Sequence, residues 1–261
     1  MKKFGVHCDI IGGGAFNWRP GQGTDDTDLA IALARVYADG YSLEAAADAF
    51  LKWWDSNPPD VGGTTHAALT HYSTHGNPYT SGRAVMTKKA AGNGSLMRAL
   101  ATGLVSGLDS VTRARHAAEI SAITHADQRC IDACIVYTCM VHYLVSGAKP
   151  ADAIRFAKVS VPADSPVIDI LHEAPNLRLN DLNPTGYVLH SLEIAVWALT
   201  QTNTFEDILI DIVNLGDDAD TTGAIAGGLM GAHRGTQAIP LRWLNKLEYR
   251  DEIESLVPQL T

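Results

Sequence analysis

Two short segments concentrate carboxylates. Gly23-Thr24-Asp25-Asp26-Thr27-Asp28 precedes an apolar stretch, and Gly216-Asp217-Asp218-Ala219-Asp220-Thr221 precedes one rich in glycine and alanine. A single carboxylate at a helix start is an ordinary cap and suits the positive end of the helix dipole. Three carboxylates in four residues, twice, exceed what capping needs. Like charges packed together repel unless protons or a cation neutralise them. Carboxylate and hydroxyl oxygens are the ligands preferred by Mg²⁺, Mn²⁺ and Ca²⁺, so the spacing points to a divalent metal site. After the second cluster, Gly223, Gly227 and Gly231 recur at every fourth residue, with Ala224 and Gly228 beside them. Each helical glycine costs about 1 kcal/mol relative to alanine. The repeat predicts a helix approached closely by a neighbour, which would hold the acidic cluster rigidly.

Two further segments carry polar chemistry. Gly92-Asn93-Gly94-Ser95-Leu96-Met97-Arg98 could offer backbone N–H groups to a phosphate at a helix start, or form an ordinary Asn-Gly turn. In Ile123-Thr124-His125-Ala126-Asp127, His125 is either a ligand-binding group or a capping, internally satisfied histidine.

The elements that must position these groups read as helices. Apolar periodicity predicts them over 28–37, from Ser42 to about Asn57, and over 67–72, 96–107, 111–123, 127–145, 150–159, 186–200, 204–213, 221–233 and 251–256. Ser42 is a candidate cap, Pro150 suits a first helical turn, and Thr204 with Asp207 resembles a capping box. No alternating run bounded by hairpin turns suggests a strand. No linker, repeat or low-complexity segment divides the chain. The pattern predicts one all-α domain over 1–261, with an irregular, glycine-rich stretch at 1–22.

The chain has 261 residues, 20 Lys plus Arg and 29 Asp plus Glu, for a net charge of −9. This acidity argues against a nucleic-acid backbone as partner, though a bound metal would let an anionic small ligand approach. The four cysteines, Cys8, Cys130, Cys134 and Cys139, contain no CxxC pair and read as packed thiols rather than a disulfide framework. MKKFGVHCDIIGGG has no apolar core long enough for a signal peptide, and no run approaches a membrane span. A cytoplasmic, monomeric protein is expected.

In their order along the chain, 23–27, 92–98, Thr124-His125 and 216–227 closely resemble the ADP-ribosylglycohydrolase family, of the dinitrogenase reductase-activating type. Asp60-Val61-Gly62-Gly63-Thr64-Thr65, Gly186-Tyr187-Val188 with 195–199, and Ile239-Pro240-Leu241-Arg242-Trp243 extend the resemblance over 10–261. It implies a single orthogonal multi-helix bundle with two divalent cations, Mg²⁺ or Mn²⁺. It also implies hydrolysis of the glycosidic bond between ADP-ribose and a protein side chain or another acceptor. By motif, Thr24, Asp25 and Asp26 would hold metal from one side and Asp218, Asp220 and Thr221 from the other, one carboxylate bridging both ions. Asp26 and Asp60 would be catalytic, with Asp60 as base and Gly62 in a loop near the scissile ribose. Asn93, Gly94 and Ser95 would line the ADP-ribose cleft with His125 beside it. The implied partner is an ADP-ribosylated protein or small ADP-ribosyl substrate, with nucleic acid only as an ADP-ribosylated acceptor.

The family pattern opens with an apolar helix, a Gly-Asp-Ala-Leu-Gly type turn and a glutamate that joins the metal site or serves as base. Met1 falls after that point, and Asp9 is the only acidic residue of 1–22 available as a replacement. The alternative reading is therefore an ADP-ribose- or metal-binding module with impaired catalysis.

Overall fold

The computed structural model describes residues 5–87 and 91–261; the two lysines of the N-terminal MKKF lie outside them. The described residues form fourteen α-helices, with no strand beyond two isolated bridges. They are α1 (Asp25–Asp39), α2 (Leu43–Asp55), α3 (Gly63–His75), α4 (Pro78–Ala84), α5 (Leu100–Leu104), α6 (Ser110–Ala122) and α7 (Gln128–Val145). There follow α8 (Pro150–Lys158), α9 (Val167–Glu173), α10 (Val188–Thr200), α11 (Phe205–Val213), α12 (Ala219–Arg234), α13 (Leu241–Leu244) and α14 (Arg250–Leu260). The expected all-α class holds.

Local chemistry sets many of these boundaries. Ser42 Oγ accepts the Ala45 N–H and caps α2, and Thr204 Oγ1 accepts the Asp207 N–H while donating to its carboxylate. Pro150 opens α8, where its missing N–H costs nothing. Three helices, α4, α9 and the four-residue α13, fall outside the apolar periodicity. In α4, Asn77 accepts the Tyr79 N–H ahead of Pro78; α9 is a seven-residue segment. The expected helix over 96–107 is shortened to α5. Residues 94–99 instead make tight turns, with Leu96 and Met97 both donating to the Asn93 carbonyl.

The core gathers around α7, which packs against α5, α6, α8, α10 and α12. Leu192, Ile194, Ala195, Val196 and Ala198 bury α10 between α7 and α12. The close approach expected on α12 occurs on a different line from the glycine repeat. A Cβ on Gly228 would stand 2.7 Å from the Tyr137 hydroxyl of α7. Val213 and Leu209 of α11 cover Gly223 and Gly227 more loosely, and Gly231 faces open space. No described helix is long and apolar enough to cross a membrane. Cys130 and Cys134 are buried free thiols, Cys139 is half-buried and Cys8 is exposed.

Candidate active site

Three helices begin at one cleft. Neither Thr24 at the start of α1 nor Asp218 at the start of α12 uses its side chain to cap its own helix. The clustered acids are therefore left over after capping. Gly62 precedes α3 and has no side chain to cap it, so first-turn N–H groups of α3 remain available for an anion. The cleft measures about 370 Å³ and is lined by Asp25, Asp60, Gly62, Asn93, Gly94, His125, Asp218, Asp220 and Thr221 among the residues singled out from sequence. Gly63, Thr64, Thr65, Gly92, Met97 and Gly186 complete its lining.

Three of the singled-out residues, Thr24, Asp26 and Ser95, are not part of the cleft lining. Asp26 is 2 % exposed, and Thr24 Oγ1 donates to its Oδ2 at 2.9 Å. Ser95 is buried away from the cleft, accepting from the Ser121 hydroxyl at 2.9 Å. Asn93 touches the cleft, yet its Nδ2 donates to Asp218 Oδ2 at 2.7 Å and to Ser191 Oγ at 2.9 Å. It orients a carboxylate as well as lining a wall. Asp9, the candidate replacement for the N-terminal acid, does not join the cleft. It pairs with Lys246 at 2.8 Å and Arg242 at 3.9 Å, which hold its carboxyl below the usual range. It lines a separate, mostly apolar cavity of about 450 Å³ that Asp220 also borders.

Crowding perturbs the carboxylates strongly. Burial, then the charges of Asp60 and Asp220, push Asp25 up to about 7. Burial pushes Asp26 well above its ordinary value, reinforced by Asp25 and Asp220. Asp60 is raised by burial and Asp220, and Asp218 by burial despite its bond from Asn93. Asp26 Oδ1 is buried without any partner. A buried carboxylate oxygen with no donor costs folding free energy unless a proton or a cation supplies one. Among the described residues, no three His, Cys, Asp or Glu side chains already form a cage for an ion. The donor set nevertheless fits a hard divalent cation that takes hydroxyl and water oxygens alongside carboxylates.

The opposite wall rests on a buried cation. Arg98 is 0 % exposed and lies 4.3 Å over the Phe50 ring. Its guanidinium donates to the carbonyls of Gly94 and Ile120 and to Thr124 Oγ1. Burial lowers it to about 10, so it stays charged at neutral pH. Burial and Arg98 push His125 down to about 3, which keeps its ring neutral. Arg98 has no separate role in the sequence motif; an arginine inside the apolar run Leu96–Leu104 is the signal that marks it.

The comparisons agree with this architecture. Residues 2–261 match the family model for ADP-ribosylglycohydrolase. The chain is 32% identical to the ADP-ribosyl-[dinitrogen reductase] glycohydrolase of Rhodospirillum rubrum over 267 residues, covering 97% of this chain and 83% of that protein. It is 30% identical to the ADP-ribosylarginine hydrolase Tri1 of Serratia proteamaculans (strain 568) over 261 residues, covering 97% of this chain and 70% of that protein. A solved structure of an ADP-ribosylglycohydrolase-related protein complex superposes with a TM-score of 0.84 at 30% identity, covering 99% of this chain and 87% of that one. The chain belongs to the ADP-ribosylglycohydrolase family.

Proposed function

We propose that this protein is a divalent-cation-dependent hydrolase that cleaves the glycosidic bond between ADP-ribose and an acceptor, with an ADP-ribosylated protein side chain as the leading substrate class. The observation that carries the cation dependence is the buried, unpartnered Asp26 Oδ1, close to the charges of Asp25, Asp220 and Asp218. Relatives named for ADP-ribosylarginine and ADP-ribosylated dinitrogen reductase support the substrate class.

Thr24, Asp25, Asp26, Asp218, Asp220 and Thr221 would hold two cations, Mg²⁺ or Mn²⁺. When bound, such ions orient ribose hydroxyls, lower the pKa of a coordinated water and offset anionic charge. The chain's own groups supply the rest. Asn93 donates to Asp218 and holds it at the mouth of α12. Asp60, raised by burial and by Asp220, is a stronger base than an ordinary carboxylate and accepts a proton from the attacking water. The N–H groups at the start of α3 face the cleft and suit the diphosphate. Bond cleavage at the anomeric carbon develops positive charge, which the cleft carboxylates stabilise.

Incubation with ADP-ribosylated arginine, with EDTA, Mg²⁺ or Mn²⁺, tests the proposal. ADP-ribose release only with added metal supports it; no release under any metal defeats it. The second reading, ADP-ribose binding without turnover, is favoured by the position of Asp9, which pairs with Lys246 outside the cleft. Calorimetry showing tight ADP-ribose binding by a protein that releases none would select that reading.

A further inference from the structure

Thr124 occupies an unusual place in the hydrogen-bond network. It is fully buried at the end of α6, four residues after Ile120. A buried threonine in or beside a helix commonly donates its hydroxyl to the carbonyl four residues earlier. Here Arg98 Nη2 donates to that Ile120 carbonyl at 3.2 Å and to Thr124 Oγ1 itself at 2.7 Å. The Thr124 hydroxyl has one other contact, His125 Nδ1 at 2.8 Å.

The hydrogens can then be counted. Arginine only donates, so Thr124 Oγ1 accepts from it. If the Thr124 proton goes to His125 Nδ1, both the Thr124 hydroxyl and Nδ1 are satisfied. If Nδ1 carried the hydrogen instead, the Thr124 proton would be left buried without its acceptor. That penalty amounts to at least about fivefold in population. The hydrogen of the neutral ring therefore sits on Nε2. That edge lines the cleft beside Gly92 and Gly94: a Cβ on Gly92 would stand 3.4 Å from Nε2, and one on Gly94 only 2.8 Å from Cε1. The Ser121 hydroxyl holds the His125 carbonyl at 3.0 Å, and Arg98 Nη1 holds the Gly94 carbonyl at 3.0 Å. Ring and glycine wall thus hang from the same guanidinium.

We propose that Arg98 is a positioning residue that locks His125 in its Nε2–H form through Thr124, so that the glycine wall of the cleft presents a hydrogen-bond donor to an acceptor oxygen of the substrate. The identity of that oxygen, on an ADP-ribosyl group, rests on the proposed function; the lock itself does not.

Nitrogen-15 spectra of histidine-labelled protein, with His125 assigned through H125Q, read the lock directly. Wild type and T124S should show a protonated Nε2 and an Nδ1 that accepts a hydrogen bond. T124V should move Nδ1 towards the shift of an unbonded ring nitrogen. R98K keeps the charge but loses the planar fork, freeing the Ile120 carbonyl, and should raise the Nδ1–H population at least about fivefold. A wild-type ring protonated on Nδ1, or an Nδ1 signal unmoved in T124V, overturns the lock. An R98K spectrum identical to wild type overturns the role of Arg98. ADP-ribose titrated calorimetrically in Mg²⁺ should bind about tenfold more weakly to R98K. Equal affinity overturns the donor's role toward the ligand. Wild-type protein that binds no ADP-ribose defeats the ADP-ribosyl reading and leaves the tautomer result standing.

Discussion

Replacing Asp25 by asparagine should stabilise the cation-free protein at alkaline pH, although Asp25 lies at the heart of the site. Its carboxyl is raised from 3.8 to about 7 by burial and by Asp60 and Asp220. A folded-state value above the unfolded one means that the native protein binds more protons between those values. Stability therefore falls as pH rises through that window, by about 4 kcal/mol at most for a shift of this size. Asp25 is half-exposed and Asp26 titrates together with it, so a gain of about 2 kcal/mol for D25N at pH 8 in EDTA is the working figure. Below about pH 4, wild-type Asp25 is protonated in both states and the advantage should vanish. Saturating Mn²⁺ should reverse the order at pH 8, because only wild type gains the binding free energy, about 2.7 kcal/mol at a hundredfold excess over Kd. Urea unfolding followed by circular dichroism, at pH 8 and about pH 3.5, with EDTA or Mn²⁺, supplies all the comparisons. A D25N protein less stable than wild type in EDTA at pH 8 would refute the reasoning. So would equal Mn²⁺ stabilisation of both proteins.

Asn93→Ala removes the 2.7 Å bond to Asp218 Oδ2 and should weaken metal affinity 10–100-fold, read by Mn²⁺ titration with electron paramagnetic resonance. Gly94→Ala places a Cβ 2.8 Å from His125 Cε1 and 3.3 Å from Thr65 Oγ1. It should cut kcat/KM for ADP-ribosylarginine by about 100-fold, with secondary structure by circular dichroism unchanged. His125, depressed to about 3, should add no ionisation to the pH profile of kcat/KM between pH 5.5 and 8.5. An H125Q variant that removes an inflection from that range would contradict its neutral state.

The acidic positions were legible because their chemistry is written locally: surplus carboxylates at helix starts need no knowledge of the rest of the chain. The same holds for Ser42, Pro150 and Thr204, whose capping roles depend on their immediate neighbours. Long-range contacts were not legible. The nearest approach on α12 falls at Gly228 because Tyr137 arrives there from α7, and a glycine repeat alone cannot say which face the neighbour takes. Ser95 shares a motif with Asn93 and Gly94, but its hydroxyl joins the Ser121 and Cys134 side of the turn. Asp9 could not be assigned to any site before Lys246 and Arg242, far along the chain, were seen to claim it.

The segment from Asn93 to Ala99 shows why tertiary demands overrode helix propensity. Leu96, Met97, Arg98, Ala99 and Leu100 are all good helix formers. In a regular helix the Gly94 carbonyl would accept the backbone N–H of Arg98. Instead it accepts the Arg98 guanidinium, at 3.0 Å. Burying that cation costs several kcal/mol unless its donors are matched. The Gly94 and Ile120 carbonyls and the Thr124 hydroxyl match Nη1 and Nη2, the Phe50 face adds a cation–π contact, and Nε alone stays without a partner. At the other end, Asn93 spends its amide on Asp218 and Ser191 and so cannot turn inward as a cap. The few tenths of a kcal/mol per residue that separate helix formers are small beside an unmatched buried guanidinium. The turns at 94–99 thus follow from the same Arg98 contacts that orient the glycine wall and His125. An apolar residue at position 98 would remove the main obstacle to winding this segment into α5.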